Sequence, residues 1–122
     1  MKAGFVYVMG NAYMPRVYKV GATQRSPHAR ADELSAATGV PVDFQVLGYA
    51  EFADAFAIEA EIHDVFCCER INSGREFFEA PLQQLLDAIC DHPDRLSAWT
   101  AEKDASVYER PLLAVMDGGR VA

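Results

Sequence analysis

The sequence predicts an α/β (α+β) domain in which flanking helices pack around a three-stranded antiparallel sheet. Two observations predict this class: short β-branched and aromatic runs bounded by turn residues, and longer segments with apolar residues at helical spacing. The chain has 122 residues, of which 51% are hydrophobic and 24% charged, a composition typical of one ordinary globular domain. It shows no signal peptide and no apolar run of membrane-spanning length, which predicts a cytoplasmic protein with no membrane partner.

Two runs near the N-terminus predict a β-hairpin. Residues 5–9 and residues 17–20 are rich in β-branched and aromatic side chains; glycines bound the first run, and Gly21 ends the second. The connection between them contains Gly, Asn and Pro, which favours an antiparallel pair with a longer loop. Side chains alternate along a strand, so Tyr7 shares a face with its second neighbours, and Lys19 does the same on the second strand. The pairing register between the two strands stays open.

The next segment predicts a helix. Ser26 followed by Pro27 is typical of an N-cap and a first helical residue, and the helix is expected to run to about Thr38, with Gly39 as its stop. Arg30 falls on or beside the stripe of this helix that packs inward. That is an unusual place for a guanidinium group.

Alternating and helical patterns continue downstream. Residues 43–50 alternate in part and predict the third strand, and a helix is expected from Asp54 onward. Residues 75–78 predict a short extended segment, and a further helix opens at Pro81. We place the domain that carries these elements at residues 1–92.

The C-terminal part, residues 93–122, predicts one more helix and a tail. The helix is expected over residues 94–104 around Leu96 and Trp99, and the tail from Ala105 either packs on the domain as an arm or is partly disordered. The three cysteines give an odd count without CxxC spacing, which predicts free thiols and argues against zinc.

The charge distribution limits the kinds of partner that the chain can bind. The net charge of −7 opposes non-specific binding to nucleic acid, which depends on Lys and Arg neutralising phosphates. Residues 1–31, however, hold five Lys or Arg residues and no Asp or Glu. A local phosphate site near the N-terminus therefore stays compatible with an acidic chain.

Five motifs occur in an order that resembles the GIY-YIG nuclease superfamily. They are Gly4 to Val8, Tyr18 to Gly21, Arg30, Ala57 to His63, and Arg75 to Phe78. The match covers about residues 3–90 and looks closest to a phage and bacterial branch with a Lys-Ile/Val-Gly second motif and a terminal Arg-Glu-Phe-Phe. The resemblance implies a GIY-YIG-type fold and a metal-dependent endonuclease that hydrolyses phosphodiester bonds in DNA.

The resemblance also implies roles for individual residues. Glu59 matches the metal-binding glutamate and would hold Mg²⁺ or Mn²⁺. Tyr7 would take or position the proton of the attacking water, and Arg30 would stabilise charge on the phosphate. Lys19 stands where the second motif usually has tyrosine, and it would assist Tyr7 or contact the phosphate. His63 would assist proton transfer or orient Glu59.

Three arginines outside that set are expected to contact DNA, namely Arg16, Arg25 and Arg75. About thirty residues follow the match, too few for an obvious DNA-reading domain. Sequence specificity is therefore either slight or supplied by a protein partner or a homo-oligomer.

The residue patterns alone leave plainer interpretations open. Tyr7 also suits a packed core tyrosine, and Lys19 suits an edge-strand lysine that discourages aggregation. Glu59 and Glu61 flank the apolar stripe of their helix equally well, so spacing does not choose between them. The alternative function is a catalytically weak or inactive module of the same fold that binds nucleic acid or a protein partner. A small interaction protein with no nucleic-acid role would fit the acidity best.

Overall fold

The computed structural model describes residues 2–12, 14–38, 44–71, 77–101 and 106–109. The elements in chain order are β1 (Gly4–Gly10), β2 (Val17–Thr23), α1 (Pro27–Thr38), β3 (Gln45–Phe52), α2 (Ala55–Val65), a short 3-10 helix (Cys67–Glu69), β4 (Phe77–Glu79), α3 (Leu82–Cys90), β5 (Ser97–Thr100) and α4 (Ser106–Glu109). The strands form one sheet in the order β4-β2-β1-β3-β5, and every pairing is antiparallel. The architecture is α+β with a five-stranded sheet, so the predicted three-stranded sheet is wrong.

The two additional strands lie at the edges of the sheet. β4 overlaps the extended segment predicted over residues 75–78, but it also pairs with β2 and so joins the sheet. β5 lies where a helix was predicted over residues 94–104. That helix is wrong for residues 94–101, and residues 102–104 lie outside the described part of the chain. All four β5 side chains are exposed, so no alternation of burial marks the strand in the sequence. Leu96 and Trp99, three positions apart, imitate the spacing of a helical stripe.

The predicted hairpin is confirmed, and the structure supplies its register. Tyr7 lies opposite Gly21 of β2, and Lys19 lies opposite Met9 of β1. On its other side Tyr7 pairs with Tyr49 of β3. Residues that pair directly point to the same face of a sheet, and residues two apart on a strand share that face. Tyr7, Lys19 and Tyr49 therefore point to one face.

Both faces of the sheet are covered, and each has its own apolar cluster. We call the face of Tyr7 the α1 face, because Ala31 of α1 packs there with Tyr7, Met9, Phe44 and Val46. The opposite face, here the core face, carries the larger cluster. Its members include side chains from β1, β2, α2 and α3, namely Val6, Val8, Val20, Ile58, Ile62, Leu85 and Ile89. Ile58 and Ile62 of α2 and Leu85 and Ile89 of α3 thus pack inward, whereas Val65, expected on the apolar side of α2, is exposed.

The ends of the helices follow local chemistry. α1 begins at Pro27, as predicted, and Gly39 lies outside the described residues. Asp54 caps α2, since its Oδ1 accepts a hydrogen bond from the Ala57 backbone nitrogen at 3.4 Å. Within the described parts of the chain, no helix has the length and apolar character needed to cross a membrane. The cytoplasmic location stays a prediction.

The tail contributes one packed turn. Tyr108 of α4 is buried against the core face. Its carbonyl oxygen accepts from the Arg16 backbone nitrogen at 2.6 Å and from the Tyr18 hydroxyl at 3.1 Å. These bonds tie α4 to the β1–β2 connection, where Arg16 has a positive φ of 68°. The three cysteines are free, as predicted, and only Cys90 is buried.

Candidate functional site

A tyrosine and an arginine from different elements meet on the α1 face. Tyr7 of β1 is buried, with 1% of its surface exposed. Arg30 of α1 donates a hydrogen bond from its guanidinium group to the Tyr7 hydroxyl oxygen. The prediction that Arg30 lies on or beside the inward side of its helix is therefore confirmed. A partly exposed guanidinium group thus satisfies the hydroxyl of a buried tyrosine.

The charge of Arg30 is reinforced by its neighbours. The hydrogen bond with Tyr7 is the largest influence that raises the pKa of Arg30, and Glu33 adds to it. Arg30 Nη1 lies 3.2 Å from Glu33 Oε2. Arg25 pairs with the other oxygen of Glu33, and that hydrogen bond is the main reason that the pKa of Glu33 is lowered. Two cations, Arg25 and Arg30, therefore lie around the one carboxylate of Glu33.

Lys19 lies on the same face as Tyr7 and is buried, with 6% of its surface exposed. Its Nζ lies 5.4 Å from the centroid of the Phe77 ring, a distance at which the ring attracts the ammonium group. β4 pairs with β2 at this position, so Lys19 is not on an open edge. The interpretation of Lys19 as an edge-strand lysine is therefore wrong.

His63 fastens α2 to β2 on the core face. Its Nε2 lies 2.8 Å from the carbonyl oxygen of Val20. A carbonyl can only accept, so Nε2 carries the proton and donates it to this bond. The histidine therefore binds the middle of β2.

Glu59 lies one helical turn before His63. Its Oε2 is 3.9 Å from His63 Nε2, and its side chain is 20% exposed. Glu61 is placed differently, because its Oε2 lies 2.7 Å from Nε2 of His92 and its side chain is 55% exposed. The structure thus distinguishes two acids that spacing alone could not distinguish. Glu61 binds His92 in the chain after α3, whereas Glu59 lies beside the contact between α2 and β2.

β2 connects the two groups. Val20 accepts the hydrogen bond from His63. It stands between Lys19 and Gly21 in the sequence, and Gly21 lies opposite Tyr7. The structure brings Tyr7 together with Arg30 and places Lys19 on their face. It brings Glu59 together with His63 on the helix that packs against the core face. The two groups therefore approach the same strand from opposite faces.

The three arginines predicted to contact DNA are distributed around the chain. Arg25 is exposed and paired with Glu33, next to Arg30. Arg16 is exposed in the β1–β2 connection, whose backbone is bound to α4. Arg75 lies outside the described residues. Of the two that the structure describes, Arg25 is the one placed beside the Tyr7–Arg30 group.

The donor set limits which metal the site suits. Within the described ranges, no group of three or more His, Cys, Asp or Glu side chains could hold a metal ion. Zinc needs three or four such protein ligands, whereas Mg²⁺ is often held by one or two carboxylates together with waters and phosphate oxygens. Glu59, a partly exposed single carboxylate, fits the second kind of site.

An aromatic group on the α1 face was missed by the sequence reasoning. Tyr49 of β3 stacks on Trp99 of β5, with ring centroids 5.3 Å apart and planes at 30°. Phe5 meets Tyr49 edge-on at 5.4 Å, and His28 meets Trp99 at 5.3 Å. We call these four residues the aromatic array. The position of Tyr49 in the third predicted strand could have placed its ring on one face of the sheet. Its pairing with Trp99 was not predictable, because a helix was predicted around Trp99.

These features define a small α+β domain with an arginine–tyrosine pair on one side of β2 and a glutamate–histidine pair on the other. The chain belongs to the T5orf172 domain family, which it matches over residues 4–91. This match corrects the predicted assignment to the GIY-YIG superfamily. The T5orf172 family is associated with nuclease-like and DNA-binding functions in phage and bacterial proteins, which is consistent with a role related to nucleic acid. No curated protein and no solved structure matches the chain at a significant level.

Proposed function

We propose that this protein is a divalent-metal-dependent endonuclease that hydrolyses phosphodiester bonds in DNA. The observation that carries the proposal is the hydrogen bond from Arg30 to the buried hydroxyl of Tyr7. A fixed cation next to a hydroxyl group is suited to bind a phosphate and to act on a water molecule beside it. The association of the family with nuclease-like functions supports the same conclusion.

Arg30 and Tyr7 would carry the chemistry on the α1 face. The guanidinium group of Arg30 has several donors, so it can bind a phosphate oxygen while it keeps its bond to Tyr7. Tyr7 would position the attacking water and accept its proton. To do so it would first have to be the phenolate, which the adjacent cation would stabilise, and the transfer would return it to the neutral phenol. Lys19, on the same face, would provide a second positive charge near the phosphate.

Glu59 would hold Mg²⁺ or Mn²⁺ with waters and phosphate oxygens as the other ligands. Such an ion, when bound, neutralises charge on the phosphate and lowers the cost of ionising water. His63 would act as a positioning residue, because its Nε2 proton is already donated to Val20 and holds α2 against β2. That bond favours positioning over the proton-transfer role considered from the sequence.

A second candidate is a catalytically weak or inactive module that binds nucleic acid or a protein partner. The net charge of −7 favours it, as does the use of Arg25 and Arg30 to neutralise Glu33. DNA cleavage distinguishes the two candidates. A nuclease cuts DNA and loses that activity when its metal ligand is removed, whereas a binding module does not cut DNA.

The test is nicking of supercoiled DNA with Mg²⁺ or Mn²⁺ by the wild type and by Glu59→Gln. Asp64→Asn is the matched control, since it removes one exposed carboxylate from the same helix. We expect nicking by the wild type and the control, and a loss of about 100-fold or more in Glu59→Gln and in EDTA. A folded wild type that binds DNA without cutting it would favour the second candidate. Equal cutting by both variants would exclude Glu59 as the ligand.

A further inference from the structure

The aromatic array forms a partly exposed surface of ring side chains at one edge of the sheet. Trp99 keeps 38% of its surface exposed, and His28 is exposed at the start of α1. Tyr49 and Phe5 are half-buried beneath them. An exposed stack of tyrosine and tryptophan leaves apolar area in contact with water, and monomeric domains usually keep such area small unless it binds something.

The array is continuous with the proposed site. Tyr49 lies directly opposite Tyr7 in the pairing of β1 with β3. His28, which touches both Tyr49 and Trp99, is two residues before Arg30 on α1. A strand of nucleic acid with one phosphate at Arg30 would therefore have its neighbouring bases beside the rings.

We infer that the aromatic array stacks unpaired bases of the DNA strand that the proposed site acts on, so that the substrate is single-stranded or locally unpaired DNA. This inference rests on the proposed function for the identity of the site and adds the class of substrate. Aromatic rings can stack on the ring face of any base. That face is accessible only where the base is unpaired, so stacking selects unpaired DNA.

The charge of the chain supports unpaired DNA over a duplex. A duplex binder obtains most of its affinity from several Lys and Arg residues that neutralise phosphates. Here the net charge is −7, and on the α1 face Glu33 binds Arg25 and Arg30. Glu51 points to the same face beside Phe5 and accepts a hydrogen bond from Ser97. Stacking adds affinity without requiring further positive charge, which suits a face with this mixture of charges.

Trp99 makes the inference directly measurable because it is the only tryptophan in the chain. The full chain is titrated in EDTA with oligothymidylate, with an abasic oligomer of equal length, and with a hairpin duplex, while tryptophan emission is recorded. We expect quenching and saturable binding with oligothymidylate alone. Equal binding of the abasic oligomer or of the duplex, or binding of oligothymidylate without any change in emission, overturns the inference.

Variants locate the bases on the array. Binding of labelled oligothymidylate is followed by fluorescence anisotropy for Trp99→Leu and Tyr49→Leu, with Leu96→Ala as the control because Leu96 is an exposed apolar residue just before β5. We expect each array variant to weaken binding by about 5- to 150-fold, and the control to leave it unchanged. Trp99 is an exposed side chain on an edge strand, so its variant is expected to fold, which circular dichroism verifies. Unchanged affinity in a folded Trp99→Leu contradicts the inference.

The outcomes separate the inference from the proposed function, since metal is absent from the binding experiments. Base-dependent binding by a protein that cuts no DNA with Mg²⁺ would support the role of the aromatic array and contradict the proposed nuclease activity. Cutting of duplex DNA that is unaffected by Trp99→Leu would support the nuclease activity and contradict the role of the aromatic array.

Discussion

The thiol of Cys90 is buried beneath the pairing of β3 with β5. It donates to the carbonyl oxygens of Tyr49 and Trp99, with Sγ–O distances of 3.7 and 3.8 Å. Burial is the main cause that raises the pKa of Cys90 from 9.0 to about 11, and Asp91 adds to it. The unfolded chain therefore loses this proton at a lower pH than the folded chain. The stability that Cys90 contributes is fully present below pH 9 and is lost as the pH rises to about 11.

Cys90→Ala is predicted to flatten this dependence on pH. Between pH 9 and 10 the wild type should lose about 1 kcal/mol of unfolding free energy through Cys90, and the variant should lose correspondingly less. The measurement is urea denaturation at a series of pH values. Cys68→Ser is the control, because that thiol is exposed and its removal should leave most of the slope. Parallel curves for the wild type and Cys90→Ala would refute this assignment.

Single residues of the candidate site were predictable to different extents. The inward position of Arg30 follows from helical spacing, and the shared face of Tyr7 and Lys19 follows once the register is known. Glu59 could be preferred over Glu61 only through resemblance to a family, because both flank the same stripe. The distinction depends on His92, thirty-one positions from Glu61. A contact of that range has no signature in local spacing.

At the scale of elements, α3 begins without a capping side chain of its own, because Pro81 precedes it. Glu109 of α4 supplies the cap: its Oε1 accepts from the Leu82 backbone nitrogen at 2.8 Å, and its Oε2 accepts from the Tyr18 hydroxyl at 2.5 Å. A carboxylate at a helix N-terminus satisfies an unpaired N–H group and interacts well with the helix dipole. The tail thus stabilises a helix that precedes it by more than twenty residues.

Glu109→Ala is predicted to lower the free energy of unfolding by about 1–2 kcal/mol, because it leaves the Leu82 N–H and the Tyr18 hydroxyl without this acceptor. Urea denaturation at neutral pH measures the change. Glu79→Ala, which removes an exposed carboxylate from β4, should cost much less. Glu109→Gln keeps one acceptor oxygen and should fall between the two. A Glu109→Ala protein as stable as the wild type would mean that the cap contributes nothing.

The elements whose partners are close in sequence were the predictable ones. β1, β2 and the start of α1 follow from short apolar runs, glycines and an N-cap, all of which act locally. The sheet edges were not predictable in the same way. β5 is four exposed residues that pair with β3 about fifty positions earlier, so its conformation is set by the partner strand and not by its own pattern. Membership of β4 in the sheet likewise depends on β2.

At the scale of the whole molecule, the sheet separates the proposed catalytic groups. Tyr7 and Arg30 lie on the α1 face, whereas Glu59 belongs to α2, which packs on the core face. β2 connects them, since His63 binds Val20 while Gly21 lies opposite Tyr7. The central claim is that both groups take part in the same cleavage reaction.

The most direct test of that claim is a double-variant cycle on DNA cleavage under single-turnover conditions. The rates of Tyr7→Phe, Glu59→Gln and the double variant are compared with the wild type, and circular dichroism confirms that each is folded. Residues that act as a unit give strongly non-additive losses, so the double variant is predicted to be no slower than the slower single variant. Losses that multiply, or a Tyr7→Phe protein with the wild-type rate, would contradict the claim that the two groups act as a unit.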